Sequence, residues 1–222
     1  MTDEQRVGGR TDMKSGSFWL RLKRNPWFWS AVGGIVFLTA IRPLMRHVPE
    51  PPPILSTLPD FALVDQSGQM FGSSDLRGHV YVVSFFFTTC RSICPALIRS
   101  VRELNHRYES IGADIKIVSF TVDPDHDSPK VLEQYANDME IDTKRWTLLT
   151  GEKKSIENLL IKGFRVDMGE KAYVSDSLVD IAHSSKIVLV DKNGNVRGYY
   201  GTDSAGIDEV FHRSLHVAGE RD

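Results

Sequence analysis

Two hydrophobic periods alternate along the chain from Leu58 onward. Residues 79–87, "HVYVVSFFF", form an unbroken β-branched and aromatic run, which predicts a central strand buried on both faces. "DIKIVSFTVD" predicts a second core strand and residues 146–149 a third. Between the first two the spacing becomes helical: Ile93, Leu97, Ile98, Val101 and Leu104 share one face of residues 93–110, with Pro95 in the first turn. "DSPKVLEQYANDME" predicts another helix, with Ser128 at the N-cap and Pro129 at the first helical position. Residues 153–162 and 206–218 predict two more. "KIVLVDKNGNVRGYYG" reads as a hairpin turning at Asn193-Gly194, and "FALVDQSGQMFGSSDLRG" as two strands about a Ser-Gly turn followed by a helical turn. The order β-β-β-α-β-α-β-α-β-β-α predicts one α/β domain, a mixed sheet with helices on both faces.

The pattern differs before Leu58. Residues 1–16 are polar, rich in Gly, Ser, Thr and charge, and read as a tail without a core. Residues 26–41 carry no charge. At ~1.5 Å per residue they fall short of a ~30 Å hydrocarbon layer, but Leu44 and Met45 extend them if Arg42 snorkels, and Trp19, Trp27 and Trp29 suit an interfacial belt. Leu38-Thr39-Ala40 puts a Leu at the outer position of a would-be cleavage site, which argues against a removed signal peptide. The expected organisation is therefore a tail over 1–24, a single transmembrane anchor over 25–45, a stiff proline-rich linker over 46–57 and a folded domain over 58–220. Arg6, Arg10, Lys14, Arg21, Lys23 and Arg24 precede the anchor and only Arg42 and Arg46 closely follow it. The positive-inside rule then leaves the N-terminus in the cytoplasm or matrix and exports the domain to the periplasm or intermembrane space.

Composition adds little beyond this. With 41% hydrophobic and 25% charged residues the chain is ordinary globular material, and a formal charge of -2 gives no reason to expect nucleic acid.

The cysteines change the picture. The 222 residues hold 2, and both fall in "FFFTTCRSICPAL" as Cys90 and Cys94, where the central strand ends and a helix begins. Sites in open α/β sheets lie outside the carboxyl ends of strands, and the helix N-terminus together with Arg91 favours a thiolate. Three readings compete. A stapling disulfide suits an exported domain but closes so short a loop that it stabilises little. A redox dithiol of thioredoxin type has Cys-x-x-Cys and a facing proline, whereas here Arg91, Ser92 and Ile93 intervene and no proline follows Pro129. A metal site needs a third ligand from His47, His79, His106, His126, His183, His212 or His216. His126 opens on the same face, and His183 stands just before a strand, where thioredoxins carry their proline. Two thiolates and an imidazole make a soft, low-coordinate set that suits copper, Cu(I) above all, with zinc second.

These residues resemble the Sco/SenC copper-binding proteins of cytochrome oxidase assembly. The resemblance rests on the N-terminal anchor, "PDFALVDQSGQMF", "FFFTTCRSICP", "FTVDPDHDSPKVL" and the late "HSSKIVLVDKNG", in the family's order. It implies a thioredoxin-like fold, copper as Cu(I) or Cu(II) on Cys90, Cys94 and His183, and delivery to the dinuclear copper centre of oxidase subunit II. It also allows a thiol:disulfide oxidoreductase that reduces the client's copper-ligating cysteines. The chain departs from the family pattern at Arg91, often Pro, and at Ala182, usually acidic. Asp180 is then the candidate to orient His183. Asp123, with Pro124, Asp127 and Pro129, is support behind the ligands, a docking element, or a turn that caps a helix.

Overall fold

The computed structural model describes residues 25–41, 51–165 and 186–220. The chain divides into two compact units, Met1–Glu50 and Pro51–Asp222. In the first, α1 (Pro26–Ile41) is a helix of 16 residues, apolar all round, with Trp27, Trp29, Phe37 and Leu38 exposed. Among the described residues no helix is long and apolar enough to cross a membrane. Leu44 and Met45, expected to lengthen α1, lie outside them.

In the second unit β1 (Ser56–Thr57), β2 (Ala62–Asp65), β3 (Met70–Gly72), β4 (Val80–Phe86), β5 (Ile115–Thr121), β6 (Trp146–Thr150), β7 (Ile187–Val190) and β8 (Asn195–Tyr200) form one sheet. The order is β1-β8-β7-β4-β5-β6-β2-β3. The β4–β5 and β5–β6 pairs are parallel and the others antiparallel, so the sheet is mixed as predicted. The helices are α2 (Ser73–Leu76), α3 (Cys94–Ser110), α4 (Pro129–Asp138), α5 (Lys153–Asn158) and α6 (Ser204–Ala218).

Alternation along β4 explains the two layers. Val80, Val82 and Phe86 enter one apolar cluster with α3, α4 and α6, while Tyr81, Val83 and Phe85 enter another with Leu63, Phe120 and α5. Every residue of β4 is buried, which an unbroken apolar run permits only in a strand covered on both sides. Ser84 is the polar interruption, and its hydroxyl bonds to that of Ser119 (2.6 Å), which also accepts from Trp146 Nε1 (2.8 Å).

Some elements differ from expectation. β1 is an added edge of two residues, held by pairing with β8 rather than by any period of its own. The helix expected over 153–162 becomes a wider π turn at Leu159–Gly163, where Phe164 N–H reaches Leu159 O. Ser128 does occupy the N-cap of α4, but its side chain makes no capping bond.

A buried ion network closes the far edge. Arg197, 7% exposed, donates to Asp191 (3.1 Å), to both oxygens of Glu220 (2.8 Å each) and to Pro52 O (2.7 Å). Asp191 also accepts from the backbone of Asn193 and Asn195 and so shapes the hairpin turn. Removing one partner of a buried pair leaves an uncompensated charge. Arg197→Ala should lower the unfolding free energy by about 3–5 kcal/mol in urea melts, whereas Arg77→Ala, which breaks the exposed pair with Asp60, should cost less than about 1 kcal/mol.

Candidate metal and thiol centre

Parallel pairing of β4 with β5 brings the loops after both strands to one edge of the sheet. Val122 N–H donates to Phe86 O (2.9 Å), so the segments leave the sheet side by side. The first loop carries Cys90, whose N–H reaches Phe87 O (3.2 Å), and ends at Cys94, the first residue of α3. Cys90 is partly exposed; Cys94 is wholly buried among Leu97, Ile98 and Phe86. Both thiols are free.

The two sulfurs differ in their hold on a proton. Partial burial opposes ionisation of Cys90. The hydrogen bonds it accepts from the backbone and side chains of Cys94 and Ser92 outweigh that, and its pKa comes down to about 6. Ser92 Oγ stands 3.7 Å from the sulfur. Cys94 is pushed up to about 12, first by burial, then by the hydrogen bond it gives Cys90 and by the charges of Cys90 and Asp127; a backbone hydrogen bond at Phe87 pulls the other way. At neutral pH Cys90 is a thiolate accepting from the Cys94 thiol. Arg91, expected to assist, is exposed and is not among the groups that shift either cysteine. Hydrogen-bond donors at the start of α3 replace it.

The second loop supports the first through Asp127, which is completely buried. Its carboxylate accepts from Thr88 N–H (3.1 Å), from the hydroxyls of Thr88 and Thr121 (2.5 Å each) and from His126 Nδ1 (2.9 Å). Thr88 lies just before the cysteines, so this carboxylate sets where the cysteine loop leaves the strand. Asp123 turns the loop with its backbone: its carbonyl accepts from the N–H groups of His126 and Asp127. His126 is exposed on this face, and its pKa is raised chiefly by the hydrogen bond to Asp127.

The histidines separate. His79 pairs with Asp114 (3.2 Å), His106 with Glu109 (3.7 Å), and His212 lies edge-on to Phe211. His183, Asp180 and Ala182 lie outside the described residues, as does His47. Among the described residues no three His, Cys, Asp or Glu side chains converge on a metal-sized point. The donors that the described residues bring together are two soft sulfurs, which fit a thiophilic ion such as Cu(I).

Residues 52–216 match the family described as SCO1/SenC. The chain belongs to the SCO1/SenC family. The SCO1 protein homolog of Bacillus subtilis is 30% identical over 153 residues, covering 68% of this chain and 77% of that one. The fold matches BsSco, a member of the Sco family of cytochrome c oxidase assembly proteins in which a disulfide switch was identified. There the TM-score is 0.65 with 26% identity, over 78% of this chain and 100% of the other. Yeast Sco1 with copper bound superimposes with a TM-score of 0.57 and 25% identity, over 75% of this chain and 95% of that one. The sheet and its helices are thus those of the thioredoxin-like Sco proteins.

The split between the sulfurs has a measurable consequence. Iodoacetamide should label Cys90 in the reduced chain with a pH midpoint near 6, rising with pH as the thiolate forms, and leave Cys94 unlabelled at neutral pH. Ser92→Ala should raise the midpoint and Arg91→Ala should not move it, as read by mass spectrometry across pH.

Proposed function

We propose that this Sco-family protein is a membrane-anchored copper chaperone that binds copper through Cys90, Cys94 and His183 and helps assemble the dinuclear copper centre of cytochrome c oxidase subunit II. The observation that carries the reading is the pair of free thiols, one at the surface and one in the core, at the carboxyl end of β4. Its relatives carry the rest: yeast Sco1 has a structure with copper bound, and BsSco belongs to a family of oxidase assembly proteins. On this reading His183 is the third donor and Asp180 the candidate acceptor for its other ring N–H, the kind of partner a ligating imidazole uses. The anchor is the segment over 25–45, with the N-terminus in the cytoplasm or matrix and the domain in the periplasm or intermembrane space, following the basic residues before it.

A metal ion takes thiolates, so uptake must expel the proton of Cys94. Cys90 has none to lose above about 6, and Cys94 keeps its own up to about 12. Between those limits Cu(I) affinity should rise about tenfold per pH unit from that proton alone, and more steeply below about 6, where Cys90 is also protonated.

A second reading rests on the same asymmetry. A surface thiolate of lowered pKa beside a buried thiol is the arrangement of a dithiol reductant: Cys90 attacks a client disulfide, and Cys94 then displaces it, leaving a Cys90–Cys94 disulfide and a reduced client. Anaerobic copper titration of the full reduced chain, beside a thiol-reductase assay, separates the two. About one Cu(I) per chain with slow turnover is the chaperone's result. Cys90→Ser or Cys94→Ser should abolish tight binding, and His183→Ala should weaken Cu(II) more than Cu(I), because two thiolates already hold Cu(I) linearly. Fast turnover without stoichiometric copper would leave the reductase.

A further inference from the structure

A hollow of about 200 Å³ opens where the chain between β1 and β2 passes α2 and the turn between β7 and β8. Leu58, Pro59, Phe61 and Leu76 give it apolar walls, and Tyr81 of β4 is set among them. Tyr81 belongs to the apolar cluster on the other side of β4 from the one that holds the cysteines. It is also the second residue of a strand that ends at Phe86, just before the cysteine loop. At ~3.3 Å per residue those two ends of β4 stand roughly 17 Å apart. The hollow is separate from the thiol centre.

Tyr81 is 3% exposed, and its hydroxyl makes no hydrogen bond among the described residues. It is nevertheless not one of the unpaired polar atoms that are sealed from solvent. The little surface that Tyr81 keeps therefore includes the hydroxyl, and the hollow is the space it opens on. Burial, and then the charge of Asp191, hold its proton on, so it has a hydrogen to give. Charge is the second feature. Of the three charged residues in the lining, Asp60 is bonded to Arg77 (3.0 Å), which leaves Lys192. Lys192 has no ion pair among the described residues, and its ammonium donates to the neutral carbonyl of Glu220 (3.1 Å). The lining thus carries one unmatched positive charge and one unused donor between apolar walls.

A space of about 150 Å³ is enough to hold benzene, so this one takes a single ring with small substituents. A neutral ring would leave Lys192 unmatched. A ring without a polar substituent opposite its charge would leave the hydroxyl unpaired, at the cost of its desolvation. We propose that the hollow binds a one-ring aromatic carboxylate: its carboxylate meets Lys192, its ring meets the apolar walls, and an acceptor at the opposite end of the ring takes the hydrogen bond of Tyr81. Copper plays no part in this site.

The test is a ligand-observed NMR titration of the full reduced chain with para-hydroxybenzoate, benzoate and para-hydroxybenzyl alcohol. Para-hydroxybenzoate should saturate a single site with a Kd of about 1 mM or tighter, in keeping with so small a ligand. Benzoate and the alcohol should each bind several-fold more weakly. Tyr81→Phe keeps the ring and should weaken para-hydroxybenzoate roughly fivefold, the worth of one hydrogen bond, while benzoate is unmoved. Lys192→Gln should weaken both acids and leave the alcohol unchanged. Cys90→Ser should bind all three as the unaltered chain does. Absence of saturable binding leaves water as the partner of the phenol and overturns the site. So does a Tyr81→Phe chain that binds para-hydroxybenzoate undiminished, or one that loses benzoate equally, which marks a distorted hollow. Dependence on Cys90 would put the ligand at the thiol centre and overturn the site as well.

Discussion

The buried carboxylate of Asp127 is the interaction on which the thiol centre depends. Taking a carboxylate out of water costs several kcal/mol unless its lone pairs are met. Here they are met by the Thr88 amide, two threonine hydroxyls and the His126 ring. Those donors come from three places: the loop that leads to the cysteines, the end of β5, and the loop that leads to α4. One side chain therefore closes the edge of the sheet where chemistry is possible and fixes the direction from which Cys90 approaches solvent.

From that fixed edge the cysteines inherit opposite environments. Cys94 is a core residue that happens to be a thiol, held by apolar neighbours from α3 and β4. Cys90 stands one turn earlier, where the unpaired N–H groups of a beginning helix and the Ser92 hydroxyl favour negative charge. A chaperone and a reductase both need this inequality, the first to hold a soft ion between surface and core, the second to separate attack from resolution.

The remainder of the domain resists distortion of this edge. The strands that carry the site are covered on both faces by separate apolar clusters. A chain of Ser84, Ser119 and Trp146 satisfies the polar groups that interrupt the central strands. At the opposite edge Arg197 ties the hairpin, Glu220 beyond α6 and the backbone at Pro52 together.

Much of this was legible in the residues. Strands β4 to β8 follow from apolar runs and the Asn193-Gly194 turn, and α3 and α4 from helical spacing with proline in the first turn, because these signals are local and each element's own chemistry suffices to produce it. The cysteines, the resemblance and hence the family were also readable, since motif and order survive in one dimension. What only the tertiary structure decided are relations between distant segments. β1 exists because β8 offers it an edge; the helix expected over 153–162 widens into a π turn at Leu159–Gly163. Arg91 is next to Cys90 in sequence yet is not among the groups that lower its pKa, while Ser92 and the Cys94 amide do what it was expected to do. The residues alone leave Asp127 between support behind the ligands, a docking element and a helix-capping turn; its carboxylate holds the cysteine loop through Thr88. Spacing along a chain records which face a residue occupies; which polar atom meets it from another strand is set only when the two strands pair.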